Sequence, residues 1–252
     1  MIFQKDYMQQ FREADADGTV GLRGYMNFFQ DMATNYMHNL GKGNDTLPEE
    51  YGICWMYTKY RMHVEKQADF TAPLHMETWV EKEKPSIRLN QALEISRDGA
   101  LFAAGRVESC LYNRNTGKLC RIADIDYPFE TESDRKLELA PFTRMKTDVS
   151  GMEYCYSHMV RYTDLDKSRH MNNLLYINLF LNAFDSAFFE KNRISDFEIH
   201  YLNQCFEGEE IKVYRKDMED GILLAGEKAD GTLAVQGMIW CSCGDMRGDV
   251  TA

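Results

Sequence analysis

Only five prolines occur in 252 residues, so long stretches are free to form regular backbone, and a proline-rich unfolded chain is excluded. Nowhere do about 18 apolar residues run together, so no segment reads as a membrane-spanning helix. Positive charge is scarce. The chain has 29 Lys and Arg against 40 Asp and Glu, a formal charge of −11 that argues against a nucleic-acid partner, whose binding rests on basic patches. The acid excess is larger past residue 150 than before it, which makes the first part the less repulsive surface for an acidic partner. The opening residues 1–18 have neither a basic cluster nor an apolar stretch of secretory type, so the seven cysteines are expected as thiols in a reducing cytoplasm. Cys241-Ser242-Cys243 lacks a second ligand pair, and His38, His63, His75, His158 and His200 have no metal-ligand spacing. No metal is expected. The absence of a G-x-S-x-G elbow excludes the serine of an α/β-hydrolase.

What is present is periodicity. Leu22, Tyr25, Met26, Phe29, Met32, Ala33, Tyr36, Met37 and Leu40 follow helical spacing, with Gly41 as the stop. A loop over 41–52 leads to alternation at Met56–Val64, and further strands are expected at Leu74–Glu81, Leu89–Ile95 and Leu101–Leu111, the last two joined by an Asp98-Gly99 hairpin. Residues 124–150 lose the pattern and read as a linker. A helix over 172–189 then opens a second half, apolar almost all round, followed by strands near 197–205, 210–216, 222–228 and 232–242.

The halves share residues as well as order. Asp98-Gly99-Ala100-Leu101 with Gly105 returns as Asp230-Gly231-Thr232-Leu233 with Gly237, and Tyr25, Asn27 and Phe29 return as Tyr176, Asn178 and Phe180. One helix wrapped by an antiparallel sheet, twice in tandem, predicts an α+β double hotdog, with the sheet edges of the halves paired into one continuous sheet and both helices on its concave side. The expected division is an N-terminal hotdog at 1–123, the linker at 124–150 and a C-terminal hotdog at 151–252.

Polar groups concentrate in Arg161–Tyr176, where a strand gives way to the second helix. Asp166, Ser168, His170 and Asn172 alternate along an extended stretch and could line a cleft. They could equally cap the helix, since Asp, Ser and Asn satisfy its free N–H groups. The same N–H groups, near Asn172 and Asn173, suit an oxyanion formed during acyl transfer.

Asp164-Leu-Asp166-Lys-Ser168-Arg-His170-Met-Asn172-Asn173-Leu-Leu-Tyr176-Ile177 resembles the D-x-D-x-N-x-H-x-N-N-x-x-Y-I stretch of the plant and bacterial acyl-acyl carrier protein thioesterases. Phe11–Gly18 and Gln30–His38 are similar to that family's opening strand and first helix, and Trp55–Arg61 to its tryptophan-led strand. The resemblance implies a double hotdog that hydrolyses a fatty acyl thioester on acyl carrier protein and ends chain elongation. It implies no cofactor, no nucleic acid and no membrane, and a monomer or homodimer. Asp166 and His170 match the family's catalytic aspartate and histidine. Ser168 stands where the family has asparagine, and Gln204 where it has glutamate, and a glutamine cannot take a proton from water. Ser168 and Gln204 are then expected to hydrogen-bond the water or the carboxylate. Cys205 adjoins Gln204 but points to the opposite face of an uninterrupted strand, so it is a secondary candidate as nucleophile. The acyl chain is expected in the first hotdog, where Met26, Met32, Met37, Met56 and Met62 could wall a tunnel or simply fill a core. Acyl-coenzyme A hydrolysis and a non-catalytic acyl or carrier-binding module are the alternatives.

Overall fold

A computed structural model describes residues 1–84, 86–145 and 148–243, with the backbone alone at Cys243. Two units are present, a first spanning Met1–Phe142 and a second beginning at Thr143. The first is built from β1 (Phe3–Tyr7), α1 (Leu22–Asn39), α2 (Leu47–Glu50), β2 (Ile53–Val64), β3 (Leu74–Val80), β4 (Arg88–Arg97), β5 (Ala100–Asn113) and β6 (Lys118–Cys120). The second contains β7 (Glu153–Met159), α3 (Leu175–Leu181), α4 (Ser186–Lys191), β8 (Asn192–Tyr201), β9 (Glu210–Met218), β10 (Gly221–Lys228) and β11 (Leu233–Cys243). Within the first unit the strands run β1-β3-β4-β5-β2, and within the second β7-β9-β10-β11-β8, all antiparallel. The two orders are the same order. Each unit is a hotdog.

Helix α1 forms where its periodicity places it. Its apolar stripe, including Tyr25, Met26, Phe29, Met32 and Tyr36, is almost wholly buried. It ends in a Schellman turn: Gly41 takes φ +65°, and the Lys42 N–H donates back to the Met37 carbonyl at 2.9 Å. The short α2 interrupts the expected 41–52 loop, its first turn started by Pro48.

The helix expected over 172–189 is two helices. Asn182–Asp185 breaks it, and the Asp185 carboxylate caps α4 by accepting from the Phe188 N–H at 2.9 Å. Uniform apolarity hid that break. The opening strand lies at Phe3–Tyr7 rather than within 11–18, which forms a 3-10 turn and a tight loop instead. The strand expected over 197–205 stops at Tyr201.

Residues 124–142, aperiodic in sequence, lie on the first unit. Ile125, Tyr127 and Leu137 are buried there. The backbone is held by a buried carboxylate: the Leu137 N–H donates to Glu81 Oε1 at 2.7 Å, while Arg106, ion-paired to Glu81 at 2.9 Å, donates to the Leu137 carbonyl. Anchors this widely spaced need no helix or strand between them.

The repeated glycines do one job in both units. A Cβ on Gly105 would sit 3.0 Å from the Phe29 ring, and one on Gly237 2.6 Å from the Phe180 ring. The repeated helix phenylalanine therefore presses on the repeated strand glycine, twice. The Asp-Gly hairpins differ. Asp98 and Gly99 both take positive φ in a two-residue turn, whereas in the second only Gly231 does, in a longer loop closed by the Lys228 N–H to Thr232 carbonyl bond. No helix among the described residues is long and apolar enough to cross a membrane.

Candidate active site

Between β7 and α3 the chain makes a tight turn that sets the candidate residues. The Asp166 N–H donates to the His170 carbonyl, the Arg169 N–H to the Asp166 carbonyl, and the Ser168 N–H to Asp166 Oδ1 at 2.7 Å. Arg169 takes φ +63° to close it. One carboxylate oxygen is thus committed to the turn, and the other, Oδ2, lies 3.7 Å from His170 Nδ1. That nitrogen also faces the Met171 carbonyl at 3.3 Å, which orients the imidazole with Nδ1 toward the protein. Both side chains are half-buried, His170 at 20% and Asp166 at 31% exposure, open enough for water and enclosed enough to hold a geometry.

The outer side of the site is the chain after β8. The Met171 N–H donates to the Cys205 carbonyl at 2.8 Å, and His170 bridges to Phe206. Gln204 is exposed and Cys205 fully buried, so the two do face opposite ways, although β8 has already ended. The Gln204 carbonyl accepts from Lys228 Nζ at 3.2 Å. Ser168 is exposed, and its tie to Asp166 is its backbone N–H.

Of the two expected oxyanion donors, the Asn172 N–H is already spent on the Asp164 carbonyl at 2.8 Å. The Asn173 N–H meets no protein acceptor among the described residues. Asn172 instead uses its side chain to accept from the Leu174 N–H at 3.0 Å, a capping role, and the Asn173 carbonyl is fixed by the Tyr201 hydroxyl at 3.0 Å. Capping and site-lining therefore coexist in one segment.

Burial pushes the Cys205 thiol above its usual range, a nearby Tyr176 hydroxyl only partly offsetting it. A thiol so placed is a poor nucleophile. Cys205→Ala is expected to keep full turnover at a stability cost of roughly 1 kcal/mol; abolished turnover in a folded variant would require an acyl-cysteine route. No group of three or more His, Cys, Asp or Glu among the described residues could hold a metal, and the Cys243 side chain lies outside them.

The first unit contains the same turn without the histidine. The Asp15 N–H donates to the Thr19 carbonyl, the Gly18 N–H to the Asp15 carbonyl, and the Val20 N–H to the Ala68 carbonyl. Gly18, at φ +81°, stands where Arg169 stands, and Thr19 where His170 does. The Asp15 carboxylate is pinned by Arg23 at 3.1 Å. Only the second unit joins the carboxylate to an imidazole.

His158, like the other histidines, has no metal-ligand spacing in the sequence. In the structure its Nε2 lies 2.9 Å from Asp164 Oδ2, at the root of this turn. The offset relating Tyr25 to Tyr176 also relates Tyr7 to His158 and Glu13 to Asp164, and carrying it upstream would have found the pair.

Comparison with known proteins gives one consistent result. Family models described as the acyl-ACP thioesterase N-terminal and C-terminal domains match residues 1–125 and 147–235. The chain is similar to a chloroplastic palmitoyl-acyl carrier protein thioesterase of Gossypium hirsutum, 24% identical over 217 residues, which cover 81% of this chain and 52% of that protein. A chloroplastic dodecanoyl-[acyl-carrier-protein] hydrolase of Umbellularia californica is 22% identical over 223 residues, covering 81% and 56%. The chain thus spans about half the length of the curated relatives it matches. Among solved structures, an acyl-ACP thioesterase from Bacteroides thetaiotaomicron aligns at a TM-score of 0.84 with 18% identity, covering 96% of this chain and 98% of that one. The 12:0-ACP thioesterase from Umbellularia californica aligns at 0.86 with 17% identity and the same coverage. These likenesses show the fold.

Proposed function

Because the chain belongs to the acyl-ACP thioesterase family, we propose that it hydrolyses the thioester joining a fatty acyl chain to acyl carrier protein, releasing free fatty acid and ending elongation. The observation that carries this reading is the Asp166–His170 pair on its closed turn, with one carboxylate oxygen left over from the turn's own hydrogen bond. Asp166 Oδ2 takes a proton from water as the water oxygen attacks the thioester carbonyl carbon. The oxyanion so formed is met by the Asn173 N–H. Collapse of the tetrahedral adduct breaks the C–S bond, and the proton passes to the departing thiolate. His170, held by its Nδ1 side, orients the thioester with Nε2, and Ser168 and Gln204, both exposed, hydrogen-bond the water rather than deprotonate it.

In this reading the second unit supplies the chemistry and the first, with residues 1–123 as its hotdog, receives the acyl chain. Met26 and Met32 of α1 and Met62 of β2 are buried, and such flexible side chains adapt to an apolar guest. Each methylene buried contributes about 0.8 kcal/mol, so depth there sets chain-length preference. Among the basic side chains of the first unit Arg61 is buried, whereas Lys82 and Arg88 stay half-exposed although paired with Asp134 and Glu108, so an acidic carrier would be steered by such charges more than held by them. A reducing, cytoplasmic compartment is part of this proposal.

The test is turnover of one acyl chain presented on carrier protein and on coenzyme A. A higher kcat/KM on the carrier is expected. Preference for coenzyme A would replace the partner, and binding without turnover of either would make this a non-catalytic acyl-binding module.

A further inference from the structure

The turn carrying Asp166 and His170 is held from behind by a carboxylate that belongs to neither. Asp164 Oδ2 accepts from the Arg161 N–H at 2.8 Å and lies 2.9 Å from His158 Nε2 on β7, while its own carbonyl accepts from the Asn172 N–H at 2.8 Å. One residue therefore ties the preceding strand, the start of the turn and its far end. Asp164 is 15% exposed and His158 30%, so water competes only in part for these bonds.

The first unit repeats the device with different chemistry. Glu13 Oε1 accepts from the Tyr7 hydroxyl at 2.5 Å, and Glu13 Oε2 from the Gln10 N–H at 2.7 Å. Tyr7, Gln10 and Glu13 correspond in sequence to His158, Arg161 and Asp164 under the offset that relates Tyr25 to Tyr176. Both 3-10 turns, Phe11–Glu13 and Tyr162–Asp164, coincide under it as well. A strand-to-turn clamp thus comes with the fold: a strand side chain donating to a carboxylate that also receives the backbone N–H three residues before it.

We infer that His158 and Asp164 are positioning residues for the Asp166–His170 pair, acting by clamping the turn to β7. This rests on the catalytic reading of that pair given above. Neither residue touches substrate. Their effect is on where Asp166 and His170 stand, and a displacement of about 1 Å at reacting groups costs up to about 100-fold in rate.

The experiment compares His158→Ala, Asp164→Ala and the paired swap His158→Tyr with Asp164→Glu, which installs the first unit's clamp. All are assayed on a fatty acyl thioester of acyl carrier protein, with Asp166→Asn as reference. Both alanine variants are expected to lose about 10- to 100-fold in kcat with KM little changed. In hydrogen–deuterium exchange the amides of Asp166, Arg169 and Asn172 should lose protection while those of β8 and β11 keep theirs. The paired swap should recover most of the kcat and the protection. If His158→Ala leaves kcat and amide protection unchanged while Asp166→Asn is crippled, the clamp is refuted and the catalytic reading stands. If the alanine variants lose kcat but the swap restores protection without restoring rate, His158 acts chemically and the positioning role is refuted. Full activity in Asp166→Asn would refute the catalytic reading itself. Should His158→Ala fail to fold, His158→Gln, which can still donate to Asp164, serves in its place with the opposite expectation of near-normal kcat; a crippled His158→Gln that retains amide protection refutes the clamp.

Discussion

Asp166→Asn is expected to lower kcat by about 10²–10⁴, the usual worth of general-base assistance, with little change in thermal stability. The substitution keeps the shape and one acceptor oxygen. The Ser168 N–H can still be met, so the turn is retained while the proton acceptor is lost. Of the four positions matched to the family motif, Asp166, Ser168, His170 and Gln204, it is the only carboxylate. Gln204 is the natural comparison. It is exposed beside a buried Cys205, so Gln204→Glu places a new charge toward solvent and should fold normally. A rise in kcat would show that a second carboxylate assists the water. A fall would show that the new charge raises the pKa of Asp166 through like-charge repulsion. Full turnover in Asp166→Asn would end the water-attack mechanism.

The parts of this fold that showed through the sequence are those where one period governs a whole element. Helix α1 buries one regular stripe, and the apolar residues of β2 to β5 recur at a strand period even where, as in β5, burial is nearly continuous. Where the apolar residues follow no period, the signal goes. β1 is exposed along most of its length, and α3 with α4 is apolar enough that Asn182–Asp185 passes for more helix. The 124–142 segment is fixed by Glu81 and Arg106, residues distant in sequence that no local pattern links to it.

The site divides in the same way. The motif makes Asp166 and His170 readable as candidates, but the extended stretch expected there would hold them about 13 Å apart, and it is the turn closed at Arg169 that brings them to 3.7 Å. The loss of the Asn172 N–H to Asp164 was not readable, because it depends on how the 3-10 turn at Tyr162–Asp164 folds back. His158 reaches the site only because β7 runs alongside that turn, a tertiary fact visible in sequence solely as a correspondence with Tyr7.

The largest stability effect is expected at the repeated glycines, with the two copies unequal. In Gly237→Ala the new Cβ would stand 2.6 Å from Phe180 Cε2 and 2.7 Å from the Glu198 carbonyl oxygen. The ring can rotate or tilt. The carbonyl belongs to β8, is locked in its pairing with β11, and cannot withdraw without breaking the ladder. In Gly105→Ala the corresponding approaches are 3.0 Å to Phe29 Cε1 and 3.2 Å to the Arg61 carbonyl, which small adjustments absorb. Overpacking costs about 1–3 kcal/mol, so Gly237→Ala should sit near 3 and Gly105→Ala near 1. In a chain of this size that is a Tm fall of about 10 °C for the former and about 3 °C for the latter. Adding Phe180→Leu to Gly237→Ala should not restore stability: it removes the ring contact, leaves the carbonyl contact, and opens space in the second unit's core. Equal costs at the two glycines in thermal melts, or a full rescue by Phe180→Leu, would show that the aromatic ring alone demands glycine and that the backbone approach in β8 is incidental.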